Sequence, residues 1–393
     1  MAAFFSKKEL SALTSLSIVL FFRMYGVFVI LPVFSLYATS LEGATPALIG
    51  LGFGSYALTQ AIFQVPFGLL SDRWSRKMII VIGLVIFVAG CVLSAMSTGI
   101  YTMILGRLLQ GVGAISSVII ALVGDQIKRE MQTRAMAFMG MSIGLAFISA
   151  FASAPFLAEL LGLNGLFWIL AFTGICAIAI IILTKMPRPS AVKNLNPVAD
   201  LIKLLKTGKL NICLIINFSV SFGLSLFMFN LPLLLEKLTI ERSDFWYYYL
   251  PLVIIGLVVM MVSAIMAERY RKLVAVMGLG SLALILSALL ASFSQFSQNH
   301  YLTLIAVYIF FIGFNVFEPI LPSLAIKISS STSRGAASGL LNLHQFFGNF
   351  CGATVAGLFY VDNKSVPFVL FLILGMIVMY LVARKKNVLD NLI

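Results

Sequence analysis

Residues 68–77 have the sequence GLLSDRWSRK, a short charged segment between two long apolar stretches. A similar segment, MAERYRKL at residues 266–273, follows about 200 residues later and again separates two apolar stretches. The same spacing of about 200 residues relates Pro32 to Pro232 and Arg134 to Arg334. Three correspondences in the same order predict two similar halves, residues 1–185 and 209–393, joined by residues 186–208.

The composition is that of a membrane protein. Hydrophobic residues make up 61% of the chain and charged residues only 10%, whereas soluble domains carry roughly 45–50% and about 25%. Most apolar stretches reach the ~20 residues needed to cross a hydrocarbon layer as a helix. We therefore predict an all-α integral membrane protein with twelve transmembrane helices. The predicted helices 1 to 12 are 13–38, 46–70, 77–97, 99–122, 134–158, 164–185, 209–235, 245–268, 272–293, 300–326, 334–358 and 366–384.

The 27 lysines and arginines orient the chain. Only Lys237, Arg242 and Lys364 fall in loops on one side, Arg23 and Arg107 fall within helices, and the rest lie on the side of the termini. Cytoplasmic loops carry an excess of Lys and Arg, so both termini are predicted to be cytoplasmic. The net charge of +13 is spread over short loops, which argues against a nucleic-acid partner.

The central segment 186–208 contains PVADLIKLLK, in which apolar residues recur at helical spacing opposite lysines. This pattern favours an amphipathic helix on the cytoplasmic membrane face, and the alternative is a simple tether. The four cysteines all fall within apolar stretches, so we expect small buried side chains and no disulfide. We expect no bound metal, no cofactor and no enzymatic activity.

Five charged residues at the cytoplasmic ends of predicted helices 2 to 4 form a candidate charge latch. They are Asp72, Arg73, Arg76, Lys77 and Asp125. Exposed ion pairs contribute only ~0–1 kcal/mol, but a pair formed in one conformation alone can shift a population. The alternative is an ordinary solvated loop.

Three ionisable residues fall at membrane depth, where a charge costs at least ~2.5–3.5 kcal/mol and indicates a functional site. Glu318, in predicted helix 10, is the preferred protonation site, since desolvation disfavours a carboxylate and alternation between wet and dry surroundings would load and release a proton. Its alternatives are a permanent pair with an arginine or a cap at Pro319. Arg107 could tie helix 4 to helix 1 by hydrogen bonds to carbonyls, and Arg23 either binds an anionic substrate or holds Glu318.

Polar side chains on predicted helices 2, 10 and 11 are candidates for a substrate cavity at the interface of the halves. They are Gln60, Gln64, Asn315, Asn342 and Gln345. His344 lies beside them and is a further proton-coupling candidate, because histidine titrates near neutral pH. The alternative for each amide is hydrogen bonding between helices.

GLLSDRWSRK resembles the signature loop of the major facilitator superfamily, and ILGRLLQGVGA at residues 104–114 resembles the fourth-helix motif of its proton-coupled members. The whole chain is most similar to YajR-type transporters of the bacterial drug–proton antiporter branch. This resemblance implies a role for Arg107 in proton coupling. The exporter motif of the fifth helix is incomplete, because Gly144 and Pro155 are present but Ala154 replaces a glycine. Since the chain ends soon after predicted helix 12, we expect no soluble C-terminal domain.

Together these features predict a secondary transporter of the inner membrane, coupled to protons, that exports amphipathic small molecules by alternating access. Its expected partners are the substrate, protons and the lipid bilayer, and it is expected to be a monomer. An importer or uniporter of a specific metabolite is the alternative within the same fold. A non-transporting membrane sensor or scaffold is the alternative of another class.

Overall fold

The structure is a computed structural model that describes residues 5–128, 131–184, 210–329 and 334–386. The regular secondary structure within these ranges is helical. The first half contains α1 Lys7–Phe28, α2 Pro46–Arg73, α3 Arg76–Ala95, α4 in two parts, Ile100–Val112 and Ser116–Gln126, and the helix Gln132–Leu183, whose arms before and after Gly162 are α5 and α6.

The second half contains six long helices with short connections. They are α7 Asn211–Lys237, α8 Trp246–Glu268, α9 Leu273–Ser297, α10 His300–Ile328, α11 Arg334–Leu358 and α12 Ser365–Arg384. The structure thus confirms the predicted order of twelve membrane helices. The predicted amphipathic helix within 186–208 lies outside the described residues.

The first helix differs from the predicted 13–38 at both ends. It is Lys7–Phe28, because the side chain of Ser6 caps its first turn and starts it earlier. It ends before Pro32, since proline lacks an N–H group and its ring collides with the carbonyl four residues earlier. After a turn, the chain resumes helical structure only in the short helix Phe34–Tyr37.

The predicted continuous helix 99–122 is also interrupted. Its two parts, Ile100–Val112 and Ser116–Gln126, are separated by a break at residues 113–115. The carbonyl group of Gly113 accepts from the backbone N–H of Ile115 at 2.9 Å within the break, and a guanidinium nitrogen of Arg23 also donates to it at 3.1 Å. The interruption leaves this carbonyl accessible to a side chain of another helix inside the membrane.

The 52-residue helix Gln132–Leu183 bends at Gly162. Gly162 has a φ of 68°, a left-handed conformation that glycine adopts without steric cost. At ~1.5 Å per residue the unbent helix would be more than twice as long as the ~30 Å hydrocarbon layer. The bend lets α5 and α6 cross separately, in agreement with the two predicted helices.

The number of crossings follows from length and polarity. Ten helices among the described residues are long and apolar enough to span a membrane, and the bent helix is one of these ten. The bent helix supplies two crossings, so these ten helices give eleven. The helix α11 has 25 residues but carries Asn342, His344, Gln345 and Asn349, which lower its hydropathy. Counting it as a crossing gives twelve, and the termini lie on one side.

The halves contact each other at their outer ends. The hydroxyl of Tyr249 donates to the carbonyl oxygen of Pro32 at 2.7 Å, using the acceptor that the end of α1 leaves free. The hydroxyl of Ser35 donates to the carbonyl oxygen of Phe229 at 2.6 Å. Tyr249 and Ser35 are fully buried, so these hydrogen bonds lie within a closed contact.

Small residues bring α2 and α11 together at the same end. A Cβ atom added to Gly50 would lie 2.6 Å from the carbonyl oxygen of Ala353, and Gly357 is equally tight against the start of α2. Toward the cytoplasmic ends, a Cβ added to Gly68 on α2 or Gly339 on α11 would meet no atom within 4 Å. The close approach of these helices is therefore local to the outer side.

Candidate functional site

Two buried arginines lie close together in the first half. Arg23 on α1 is 1% exposed. Its Nη2 donates to the side-chain oxygen of Gln60 on α2 and to the carbonyl of Gly113 on α4, both at 3.1 Å. Its guanidinium carbon lies 4.3 Å from the ring centroid of Phe87 on α3. Arg23 therefore joins four helices at one point.

Arg107 on α4 is 3% exposed. Its Nη1 donates to the side-chain oxygen of Gln110 at 2.8 Å, one turn along the same helix, and its guanidinium lies 5.0 Å from the ring centroid of Tyr56. Arg107 does not tie helix 4 to helix 1 by a hydrogen bond within the described residues, although its guanidinium lies 5.7 Å from the ring centroid of Phe34, a residue of predicted helix 1. Arg23 makes that connection, because the break in α4 exposes the Gly113 carbonyl to it.

The arginine pair keeps unused hydrogen-bonding capacity. Nε and Nη1 of Arg23 and Nε of Arg107 are buried and lack a partner among the described residues. Aromatic faces compensate part of the charge, since cation–π contacts contribute ~0.5–2 kcal/mol. Ionised groups at this depth are costly and mark functional sites. The unused donors could bind an oxygen atom of a solute or water whenever the cluster becomes accessible.

Glu318 is half-buried on α10, within a helix that contains Pro319 and Pro322. In the described part of the chain its carboxylate forms no hydrogen bond or ion pair. The two prolines lack N–H groups, so the carbonyls of Asn315 and Glu318 also lose their usual helical donors. An acid and free carbonyls therefore occur together at membrane depth, which is the environment expected for a site that takes up a cation or a proton.

The structural alternatives for Glu318 fail in this conformation. The hydrogen bonds of Arg23 all go to groups in the first half, so it does not hold Glu318. The Glu318 side chain does not cap the break at Pro319, since it forms no hydrogen bond among the described residues. Its role in proton coupling stays a prediction, and so does that of Arg107.

The predicted substrate-cavity amides are divided between the halves. Gln60 and Gln64 are 1% and 2% exposed, and Gln60 donates to Gln64 at 3.3 Å. They belong to the arginine cluster and are closed to a solute in this conformation, because Gln60 accepts from both Arg23 and Tyr56. Access to them would require a rearrangement of the first half.

The amides of the second half are more accessible. Asn342 and Gln345 on α11 are half-buried and make no hydrogen bond within the described ranges. Asn315 donates to the carbonyl of Phe311 at 2.9 Å on its own helix. His344 is also bonded within its own helix, through Nδ1 to the carbonyl of Leu340 at 2.8 Å. Asn342 and Gln345 thus have free hydrogen-bonding groups for a solute.

The central ion pair of the candidate charge latch is formed. Arg76 Nη1 lies 3.1 Å from Asp125 Oδ2, and the two side chains are 10% and 24% exposed. Their pairing joins the start of α3 to the end of α4. The side chains of Asp72 and Arg73 lie outside those that the structure describes. Whether the pair opens during a transport cycle stays a prediction.

Lys77, another residue of the candidate charge latch, contacts backbone carbonyls of α6. Its Nζ donates to the carbonyl oxygens of Ile182 and Thr184, both at 2.9 Å. These are acceptors at the end of α6, where a cation stabilises the helix terminus. Lys77 therefore attaches the start of α3 to the end of α6.

The second half has a related charged group that sequence reasoning missed. Glu268 at the end of α8 accepts from Lys327 at 3.4 Å and from the hydroxyl of Ser323 at 3.1 Å. These three residues and Pro319 line a cavity of about 220 Å³. The signal was present in the repeat, since Glu268 occupies the position that corresponds to Asp72. Its lining includes Pro319, the residue that follows Glu318, but not Glu318 itself.

The pair Arg76–Asp125 is expected to stabilise the protein by about 1 kcal/mol, at the upper end for partly exposed pairs. We expect this coupling energy from a double-mutant cycle with Arg76→Gln and Asp125→Asn, measured as the free energy of unfolding in detergent. The matched control is Arg242–Glu236, whose side chains are 44% and 46% exposed, and it should show a smaller coupling. Equal coupling in both pairs would contradict the prediction.

The model of the Major Facilitator Superfamily matches residues 16–353. The chain belongs to this family. A major facilitator protein is a multi-pass membrane transporter and not an enzyme, in agreement with the twelve crossings and the paired halves described above.

Among curated major facilitator proteins, the chain is 37% identical to the inner membrane transport protein YajR of Escherichia coli, over 89% of this chain and 77% of that protein. It is 26% identical to multidrug resistance protein 1 of Bacillus subtilis, over 92% and 93% of the two chains. It is 24% identical to the quinolone resistance protein NorA of Staphylococcus aureus, over 89% and 91%.

Solved structures agree with the fold. A bacterial homologue of the human lysosomal transporter Spinster, in an inward-facing and unoccupied conformation, superimposes with a TM-score of 0.78 at 14% identity, covering 99% of this chain and 98% of that one. A D-xylose–proton symporter superimposes with a TM-score of 0.76 at 14% identity, covering 95% and 96%. The major facilitator fold is therefore shared with transporters of very different sequence.

Proposed function

We propose that this major facilitator protein is a proton-coupled secondary transporter that exports amphipathic small molecules by alternating access. The observation that carries the proposal is Glu318, a half-buried carboxylate without a partner among the described residues, at membrane depth. A charge left in this position costs free energy unless it is neutralised. Uptake of a proton neutralises it, and release requires access to water in another conformation.

The contacts between the halves support alternating access. Tyr249 and Ser35 close the outer end through hydrogen bonds to the opposite half, while Gly68 and Gly339 are not in close contact at the cytoplasmic ends of α2 and α11. Among the described residues, this arrangement is the one expected of a conformation that is open to the cytoplasm. The cavity beside Glu268 lies on the same side and is lined by Pro319, the residue that follows Glu318.

The direction of transport and the substrate class rest on other features. The relatives named for multidrug and quinolone resistance are 24–26% identical over most of the chain. The second half offers free amides at Asn342 and Gln345 beside exposed or half-buried aromatic residues of α11, such as Phe347. An apolar surface with a few polar groups is typical of sites for amphipathic ligands.

The proposal is tested with purified protein in liposomes and the lipophilic cation ethidium as the probe. An imposed pH gradient should drive ethidium across the membrane against its own gradient, and a protonophore should abolish this movement. Ethidium movement that a protonophore leaves unchanged would contradict proton coupling. Movement of the dye with the proton gradient, and not against it, would support an importer.

A further inference from the structure

The outer side of the protein carries few cations, and they lie close together. Of the lysines and arginines in the predicted outer loops, Lys237 ends α7, Lys364 directly precedes α12, and Arg242 lies between α7 and α8. Positive charge on this side runs against the distribution that orients the chain. The surroundings of these three cations should therefore show why they are placed together on this side.

Lys237 and Lys364 share one aromatic ring. Their Nζ atoms lie 5.3 Å and 4.6 Å from the ring centroid of Tyr360. Partial burial and the nearby Lys237 ammonium lower the pKa of Lys364. Two ammonium groups at the membrane surface repel each other, and an anion placed between them would stabilise both. The face of the single Tyr360 ring provides only a small part of this stabilisation.

The neighbouring acid is already used. Glu236 accepts from Arg242 at 2.6 Å, and Arg242 in turn lies over the ring of Tyr37 at 5.1 Å. Within the described part of the chain, neither Lys237 nor Lys364 forms an ion pair. No carboxylate of the described residues is thus paired with these two lysines, which leaves both available to an anion from outside the protein.

The two lysines open onto a recess with further polar groups. Its lining includes Asn230, Gln295, His300 and Thr303 from α7, α9 and α10. Gln295 uses its amide nitrogen for one hydrogen bond, to Ser294 at 3.2 Å, which leaves a second N–H available. The recess thus combines two cations with neutral hydrogen-bond donors, the combination by which proteins bind phosphate oxygens.

We propose that this recess, between the outer ends of α7, α10 and α12, binds a phosphate-type oxyanion through Lys237 and Lys364. The oxyanion is either the headgroup phosphate of an outer-leaflet lipid or a dissolved phosphate. The site lies at the membrane surface, where basic side chains meet lipid phosphates. It is separate from Glu318 and does not depend on the proposed transport function.

The test removes the two charges and measures binding of stated probes. Wild-type protein is compared with Lys237→Gln/Lys364→Gln in detergent with inorganic phosphate, by calorimetry. Both proteins are also placed in nanodiscs of phosphatidylcholine with and without phosphatidylglycerol, and the lipids retained are counted by native mass spectrometry. Loss of two charge-assisted contacts should weaken binding of one probe at least about tenfold.

Two further variants keep the result interpretable. Lys385→Gln/Lys386→Gln removes two exposed cations at the cytoplasmic end of α12 and should leave binding unchanged. Lys237→Arg/Lys364→Arg keeps both charges and should retain binding, which separates loss of charge from loss of fold. A reduction confined to phosphatidylglycerol identifies a lipid, and one confined to inorganic phosphate identifies a dissolved anion. If the glutamine variant binds each of the two probes as tightly as the wild-type protein does, the proposal is overturned.

Discussion

Glu318→Gln is expected to abolish transport driven by a pH gradient while exchange of substrate across the membrane continues. Glutamine has nearly the same size and polarity as glutamic acid, but it cannot bind and release a proton. The half-buried position of Glu318 and its lack of a partner in the described ranges make the proton the obvious means of neutralisation. The measurement is ethidium movement in liposomes, with and without an imposed pH gradient.

The matched control for this experiment is Glu241→Gln. Glu241 is an exposed glutamate between α7 and α8, and its replacement should leave both gradient-driven transport and exchange unchanged. Gradient-driven transport at the wild-type rate in the Glu318→Gln protein would remove Glu318 from the mechanism. Loss of exchange together with driven transport would indicate that Glu318 has a structural role.

Gly357→Leu is expected to prevent closure of the outer end and to stop transport. A Cβ atom at Gly357 would collide with the carbonyl oxygen of Pro46 and approach Gly50, and both are backbone positions that cannot rotate away. Overpacking of this kind costs ~1–3 kcal/mol or more, which shifts a conformational equilibrium about tenfold or further. The population should therefore move away from the outer-closed conformation.

Labelling from outside detects this shift. Ser35 is fully buried at the outer contact, so Ser35→Cys, in a chain whose native cysteines are replaced by alanine, should react slowly with an impermeant maleimide. Adding Gly357→Leu should raise its rate about tenfold or more. Gly278→Leu on α9, where an added Cβ meets no atom within 4 Å, should leave the rate unchanged. An unaltered rate with Gly357→Leu would show that the α2–α11 contact does not hold the outer end closed.

The architecture could be predicted because it depends on local properties of the sequence. Helix number follows from the length of apolar stretches and orientation from the distribution of lysine and arginine. The end of α1 before Pro32 was also available from local chemistry, since a proline interrupts the hydrogen bonding of the preceding turn. The break at residues 113–115 could not be predicted in this way, because the hydrogen bond that Arg23 donates to the Gly113 carbonyl joins residues that are far apart in the sequence.

The sequence selected individual candidate residues, but it could not show which of them contact one another. Membrane depth was enough to select Arg23, Arg107 and Glu318. It could not show that the arginines cluster with Gln60 in one half and that Glu318 stands apart in the other. The cavity beside Glu268 was missed for the same reason, since a cavity is a property of packed helices and leaves no pattern within any one of them.

The hydrogen bond from Arg23 to Gly113 also constrains how the protein is made. During synthesis α1 leaves the ribosome before α2 and α4 exist, so Arg23 enters the bilayer without Gln60 or the Gly113 carbonyl as acceptor. A lone arginine at this depth opposes insertion by ~2.5–3.5 kcal/mol. The apolar residues of α1 must offset this cost until a segment about 90 residues further along the chain brings the Gly113 carbonyl to Arg23.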